Sequence, residues 1–261
     1  MPEADKSLDI LGAKPVAEAL KTVTDGSVQG ISALLSRICL PAAEEFGLLW
    51  RDKVSHWRAC NAARMAAHAA SIIDKQTSAS QLSAHPRLVF KTIEDSSWTD
   101  DDVVLSLWGG LLASSCTESG SDESNLMFIN LLSQLTSSQV RIITYACENI
   151  KVYQTPSGWI MPGELKVEAV DVAIITKVND MHQLDRELDH LRHLGVIESG
   201  FDINTTLADI TPTALGLQLY VRSQGYIGSP IAYFELRGPV EMKTPLDVRQ
   251  NLYSSIIDDE T

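Results

Sequence analysis

Basic residues are scarce in this chain. Its 261 residues hold 21 Lys and Arg against 34 Asp and Glu, a formal net charge of −13. General nucleic-acid binders neutralise phosphates with clustered Lys and Arg, so the balance speaks against that class. Cysteines are few as well: Cys39, Cys60, Cys116 and Cys147, with no CxxC pair. That spacing gives no zinc ribbon or thioredoxin-like site and reads as buried, reduced thiols. No uninterrupted apolar run reaches the ~18 residues of a membrane span. The start, MPEADKSLD, is polar and acidic where a signal peptide is basic, so the expected location is cytoplasmic. GxSxG, HExxH, P-loop and GxGxxG patterns are all missing. No cofactor and no catalytic residue is therefore expected.

What is present suits a packed fold. Apolar residues make up 44% of the chain and charged residues 21%, enough apolar matter to bury a core. The length fits two modest domains, and the character of the chain changes near residue 150. We expect a helical body over 1–150 and a mixed module over 151–261.

The first part reads as helices. PVAEALKT (15–22) and ISALLSRICL (31–40) are short ones, and Pro41 opens a long amphipathic run to Lys75. Phe46, Leu49, Trp50, Val54, Trp57, Cys60 and Ala67 recur there at three- and four-residue steps. Unbroken, that helix is about 50 Å long. Residues 76–85 read as a loop and Pro86 as the opening of a further helix. Thr99 with Asp102 spaces as a capping box, and so does Thr136 with Gln139. The first precedes an apolar helix containing Trp108; a Ser-rich loop (114–124) follows it.

Beyond residue 150 the segment VYQTPSGWIMPG is turn-rich, and KVEAVDVAIIT is apolar enough for strand or helix. Met181, Leu184, Leu188, Leu191 and Leu194 form a helix face ending at Gly195. VIES and ADIT then flank a Gly/Asp/Asn-rich turn, and Pro212 opens another helix. Helix, hairpin, helix in this order resembles the recognition helix and wing of a winged helix. AYFELR (232–237) alternates as a strand would, and PLDVRQNLYSSII reads as a final helix. The predicted fold class is mostly α: an N-terminal multi-helix body, then a C-terminal α+β winged-helix-like module with a strand and helix extension.

Three blocks over about residues 40–221 together resemble the abortive infection alpha family, bacterial proteins linked to phage defence. The first carries Gly47, Leu48, Asp52, Lys53, Trp57 and Arg58. The second carries Asp100, Asp101, Asp102, Leu107, Trp108, Leu111, Leu112 and Ala113. The third carries Leu188, Leu191, Gly195, Val196, Ile197, Thr211, Gly216 and Tyr220. Two departures stand out: Gly109 and Gly110 replace the usual Ala and Asn, and Tyr220 replaces Phe. The resemblance implies a role in defence and no particular chemistry.

Candidate sites follow from residue type. Trp50, Trp57, Arg58, Trp108, Arg186 and Arg192 are candidate interaction residues, since Trp and Arg are common interface anchors. His182, Asp185, Asp189 and His193 can share one stripe of a helix, a spacing open to zinc and equally to a solvated polar face. The run Asp100–Asp102 is read as complementing a helix N-terminus, because consecutive carboxylates diverge and chelate poorly. Residues 176–225 hold 4 basic and 7 acidic groups, which opposes duplex DNA on the winged-helix-like part. The expected role is an anti-phage protein working as sensor, regulator or effector through a protein partner or self-association, with nucleic acid and membrane disfavoured. The alternative is a winged-helix DNA-binding transcriptional regulator.

Overall fold

The computed structural model describes residues 30–42, 56–75, 82–202, 204–238 and 241–242. The chain divides into two compact units, Met1–Ile129 and Asn130–Thr261. Segment 15–22, most of the run after Pro41 (Trp50 included) and the final PLDVRQNLYSSII lie outside the described residues.

In the first unit, helices run at α1 (30–38), α2 (His56–Ile73), α3 (Pro86–Ser96) and α4 (Asp102–Ser114). The unit boundary falls within α5 (Leu126–Leu132). The main seam lies between α2 and α4. Ala59, Ala62, Met65, Ala66, Ala69 and Ile73 turn inward at three- and four-residue steps. They meet Val104, Leu105, Trp108, Leu111 and Leu112 of α4, all buried. Small residues let the two backbones approach. A Cβ on Gly109 would lie 2.6 Å from the His68 Cβ and 3.0 Å from the Ala69 backbone nitrogen. Glycine at position 109 thus lets the two helices approach this closely.

Local signals set the helix starts, with one correction. Pro86 opens α3 as expected, with His85 accepting a bond from the Arg87 N–H. The cap of α4 is Asp101, whose carboxylate accepts from the Val103 and Val104 N–H groups at 3.0 and 3.3 Å. The expected Thr99–Asp102 box does not form; Thr99 instead accepts from the Asp101 N–H. Asp caps at least as well as Thr, and here it sits one residue from the helix. A two-residue strand lies inside each segment read as a loop: β1 (Ser83–Ala84) pairs antiparallel with β2 (Cys116–Thr117).

The second unit opens with α6 (Ser137–Asn149), and its capping box forms as the sequence predicts. The Gln139 N–H donates to Thr136 Oγ1, and the Thr136 N–H donates to Gln139 Oε1. The turn-rich segment is the hairpin of β3 (Val152–Gln154) and β4 (Ile160–Pro162), with β7 (Glu241–Met242) parallel to β3. KVEAVDVAIIT divides between the two readings: β5 (Lys166–Glu168) passes straight into α7 (Ala169–Thr176). Then comes α8 (Met181–His193), with Leu184, Leu188 and Leu191 buried and Gly195 ending it at φ 69°.

Residues 196–213 form a hairpin. Its backbone bonds join Val196 with Thr213, Glu198 with Thr211, Gly200 with Asp209, and Asp202 with Leu207. The second arm contains β6 (Leu207–Asp209), and β5 pairs antiparallel along its other edge. Thr213 caps α9 (Ala214–Ser223) and donates to the Gly195 carbonyl at 2.5 Å. A Cβ on Gly216 would stand 2.3 Å from the Val196 oxygen, so α9 rests directly on the hairpin backbone. AYFELR is not a strand. It belongs largely to α10 (Pro230–Glu235), where Ile231 and Phe234 are buried at helical spacing. Pro230 sets a first-turn φ that overrides a short alternation. Among the described residues no helix is long and apolar enough to cross a membrane.

Candidate interaction surfaces

Each unit presents large side chains to solvent, and each surface is built by its own elements. In the first unit the centre is Arg58, near the start of α2. Its guanidinium reaches the end of α3, meeting Glu94 Oε1 at 2.8 Å and donating to Ser97 Oγ at 2.8–2.9 Å. Ser97 Oγ in turn donates to the Glu94 carbonyl, and Asn61 donates to the Ser97 carbonyl. The Arg58 guanidinium carbon lies 4.0 Å over the Trp98 ring, a cation–π contact. Trp98 Nε1 also faces Glu94 Oε1 at 3.4 Å. Trp98 nonetheless remains 61% exposed, and Trp57 is 44% exposed. So Arg58 is a partly buried clamp and Trp98 is the group it holds at the surface.

The other sequence candidates fall differently. Trp108 is 3% exposed and belongs to the α2–α4 seam, which removes it from any docking surface. Arg186 and Arg192 are exposed on α8, and Arg192 meets Asp189 at 2.7 Å. His182, Asp185, Asp189 and His193 are exposed on the same helix. Among the described residues no group of three or more His, Cys, Asp or Glu is gathered to hold a metal ion. In the Asp100–Asp102 run, Asp101 caps α4 and Asp102 pairs with Arg64.

The cysteines behave mostly as the sequence implies. Cys39, Cys116 and Cys147 are buried, whereas Cys60 is partly exposed. Burial pushes the Cys116 thiol up to about 12 and raises Cys39 and Cys147 as well. These three stay protonated at neutral pH and are poor nucleophiles. Burial also raises the Tyr220 phenol, whose ring packs edge-on to Tyr233 with centroids 6.1 Å apart.

Sequence reasoning missed the exposed positions. Trp98 and the α7 pair Val170 (63% exposed) and Ile174 (70% exposed) were not candidates. For Trp98 a signal existed: it stands between a Ser pair and an Asp run, off any apolar periodicity. For α7 there was none, because every second residue of the segment is apolar or small.

Compared with known proteins, the chain matches the family described as abortive infection alpha over residues 60–219. No curated protein and no solved structure matches the chain. The matched span exceeds half of the chain, and the chain belongs to this family.

Proposed function

With that membership as premise, we propose that the chain defends a bacterial host against phage and does so through protein contacts, as sensor, regulator or effector. Family membership supports the defence role. The observation that carries the contact mode is the face of α7 formed by Val170 and Ile174. They lie one turn apart and both point into solvent, while Val172 and Thr176 turn inward. Two neighbouring large aliphatics left in water support reading this face as one that a partner covers.

In this reading the second unit contains a winged-helix-like module. The supporting order is α6, β5, α7, α8 and the hairpin of residues 196–202 and 204–213, with β5 pairing antiparallel to β6. Helix α8 takes the recognition position, and the wing tip lies where Asp202 pairs with Leu207. Its exposed side carries Asp185 and Asp189 beside Arg186 and Arg192, and the tip carries Asp202. Duplex DNA bears about one negative charge per 1.7 Å of axis, so a protein surface is the better partner for such a face. DNA regulation is the second reading, favoured by the same order of elements. Salt-dependent, sequence-specific retention of DNA by the full chain would establish it.

Deleting the gene from a bacterium that carries it should raise phage plating. Ile174→Asp, at an exposed position that leaves the core intact, should reproduce that loss. Unchanged plating after deletion sinks the defence role. Full protection by a folded Ile174→Asp protein sinks the α7 contact.

A further inference from the structure

We infer that the α7 face is covered by a second copy of the chain, the two α7 helices lying antiparallel across a two-fold axis at Ile174. The inference rests on the contact reading above and names the partner.

Three observations carry it. First, α7 is apolar on every side: from Ala169 to Thr176 its one charged residue is Asp171. The fold of the unit uses half of that, since Val172 and Thr176 turn inward while Val170 and Ile174 stand in solvent. A helix that is apolar all round is the pattern of one enclosed on both sides. Second, the local charge permits two copies to meet here. Each copy carries −13, so most pairings of two copies are repulsive. Residues 169–178 hold Asp171 and Lys177 and no other charge, so this window is balanced.

Third, those two charges are placed symmetrically, three residues to either side of Ile174. In an isologous contact each residue meets its counterpart twice, once from each copy. With the axis at Ile174, Asp171 meets the partner's Lys177, and Lys177 meets the partner's Asp171. Both are exposed, and among the described residues neither forms an ion pair within its own chain. A parallel pairing would set like charges side by side, so the same two residues select the antiparallel one. A second copy thus supplies both the apolar side and the complementary charges that this face lacks.

The test is sedimentation equilibrium of the purified full chain from about 1 to about 200 µM. The mass should rise from 28.6 kDa toward twice that value. The contact is small, so the Kd should be on the order of 10 µM. Ile174→Asp sets two carboxylates face to face across the axis and should weaken association about a hundredfold. Asp171→Lys and Lys177→Asp should each weaken it about fivefold, and the double reversal should recover that loss. Lys177 is left-handed at φ 61°, a conformation that Asp also adopts. Thermal unfolding of each variant establishes that it is folded. A parent that stays at 28.6 kDa overturns the inference. So does a dimer unmoved by Ile174→Asp, or a double reversal weaker than either single one. If a different protein covers α7, the parent stays monomeric while Ile174→Asp still loses phage protection, which separates this inference from the contact reading.

Discussion

The two units hold themselves together by different means. In the first, α2 and α4 meet along alanines, a glycine and fully buried aliphatics, and the closeness of two backbones does the fastening. In the second, short helices and small sheets are tied by polar side chains. Gln139 Nε2 donates to the Glu187 carbonyl at 2.9 Å, Thr136 Oγ1 to Glu187 Oε2 at 2.6 Å, and the Gln139 amide also meets His190. Arg237 donates to the Cys147 and Glu148 carbonyls at the end of α6. Dispersion and exclusion of water tolerate sliding but not bulk; hydrogen bonds tolerate bulk nearby but not loss of a partner.

The largest expected effect concerns what the units share. Cys116 lies in one and Cys147 in the other, and both are buried. With a thiol reagent at pH 8, neither should react until the chain unfolds, whereas partly exposed Cys60 should react in the native state. Labelling of one of the two before the other would reveal which unit opens first. The same shift has a pH consequence. An unfolded thiol ionises near 9.0, and folded Cys116 holds its proton to about 12. Across that window the unfolded chain releases a proton that the folded chain keeps, so stability falls as pH rises from 9 to 12. Urea midpoints taken through the window measure it, and Cys116→Ala should flatten the slope.

Next in size is Leu105→Ala in α4, at the α2–α4 seam. It should cost about 2–5 kcal/mol in urea unfolding, because a rigid apolar seam collapses poorly into a hole. The glycines come next. Gly109→Ala pushes a methyl against the His68 Cβ and the α2 backbone, and Gly216→Ala against the Val196 backbone, neither of which yields easily, at about 1–3 kcal/mol each. Equal costs would erase part of the contrast, since they would make close approach a device of both units. Smallest is Thr136→Ala, at about 1 kcal/mol for the lost cap. A cost clearly above that would measure the added bond to Glu187 and sharpen the contrast.

Much of this fold is legible in the sequence wherever the signal is local. The box at Thr136 and Gln139, the Pro86 helix start, the leucine face of α8 and its stop at Gly195 each follow from a few adjacent residues. Failures occur where two local signals compete. Asp101 displaces Thr99 because two good caps stand within three residues. Pro230 and the Ile231/Phe234 spacing defeat the alternation in AYFELR. The interaction surfaces were the least legible part. A tryptophan in sequence carries no mark of which side of the core it faces: Trp108 is buried and Trp98 is exposed. Arg58 reads in sequence as an interaction candidate, and nothing local shows that its guanidinium lies over a tryptophan forty residues further along the chain.

The capping box of α6 has one further consequence. Each of its side chains works twice: Thr136 Oγ1 accepts from the Gln139 N–H and donates to Glu187, while Gln139 Oε1 takes the Thr136 N–H and its Nε2 serves α8. Starting one helix and seating another are therefore a single event. A half-formed unit with α6 begun and α8 adrift forfeits bonds at both ends, so the side chains that a sequence uses to say where a helix starts also make the transition all-or-none.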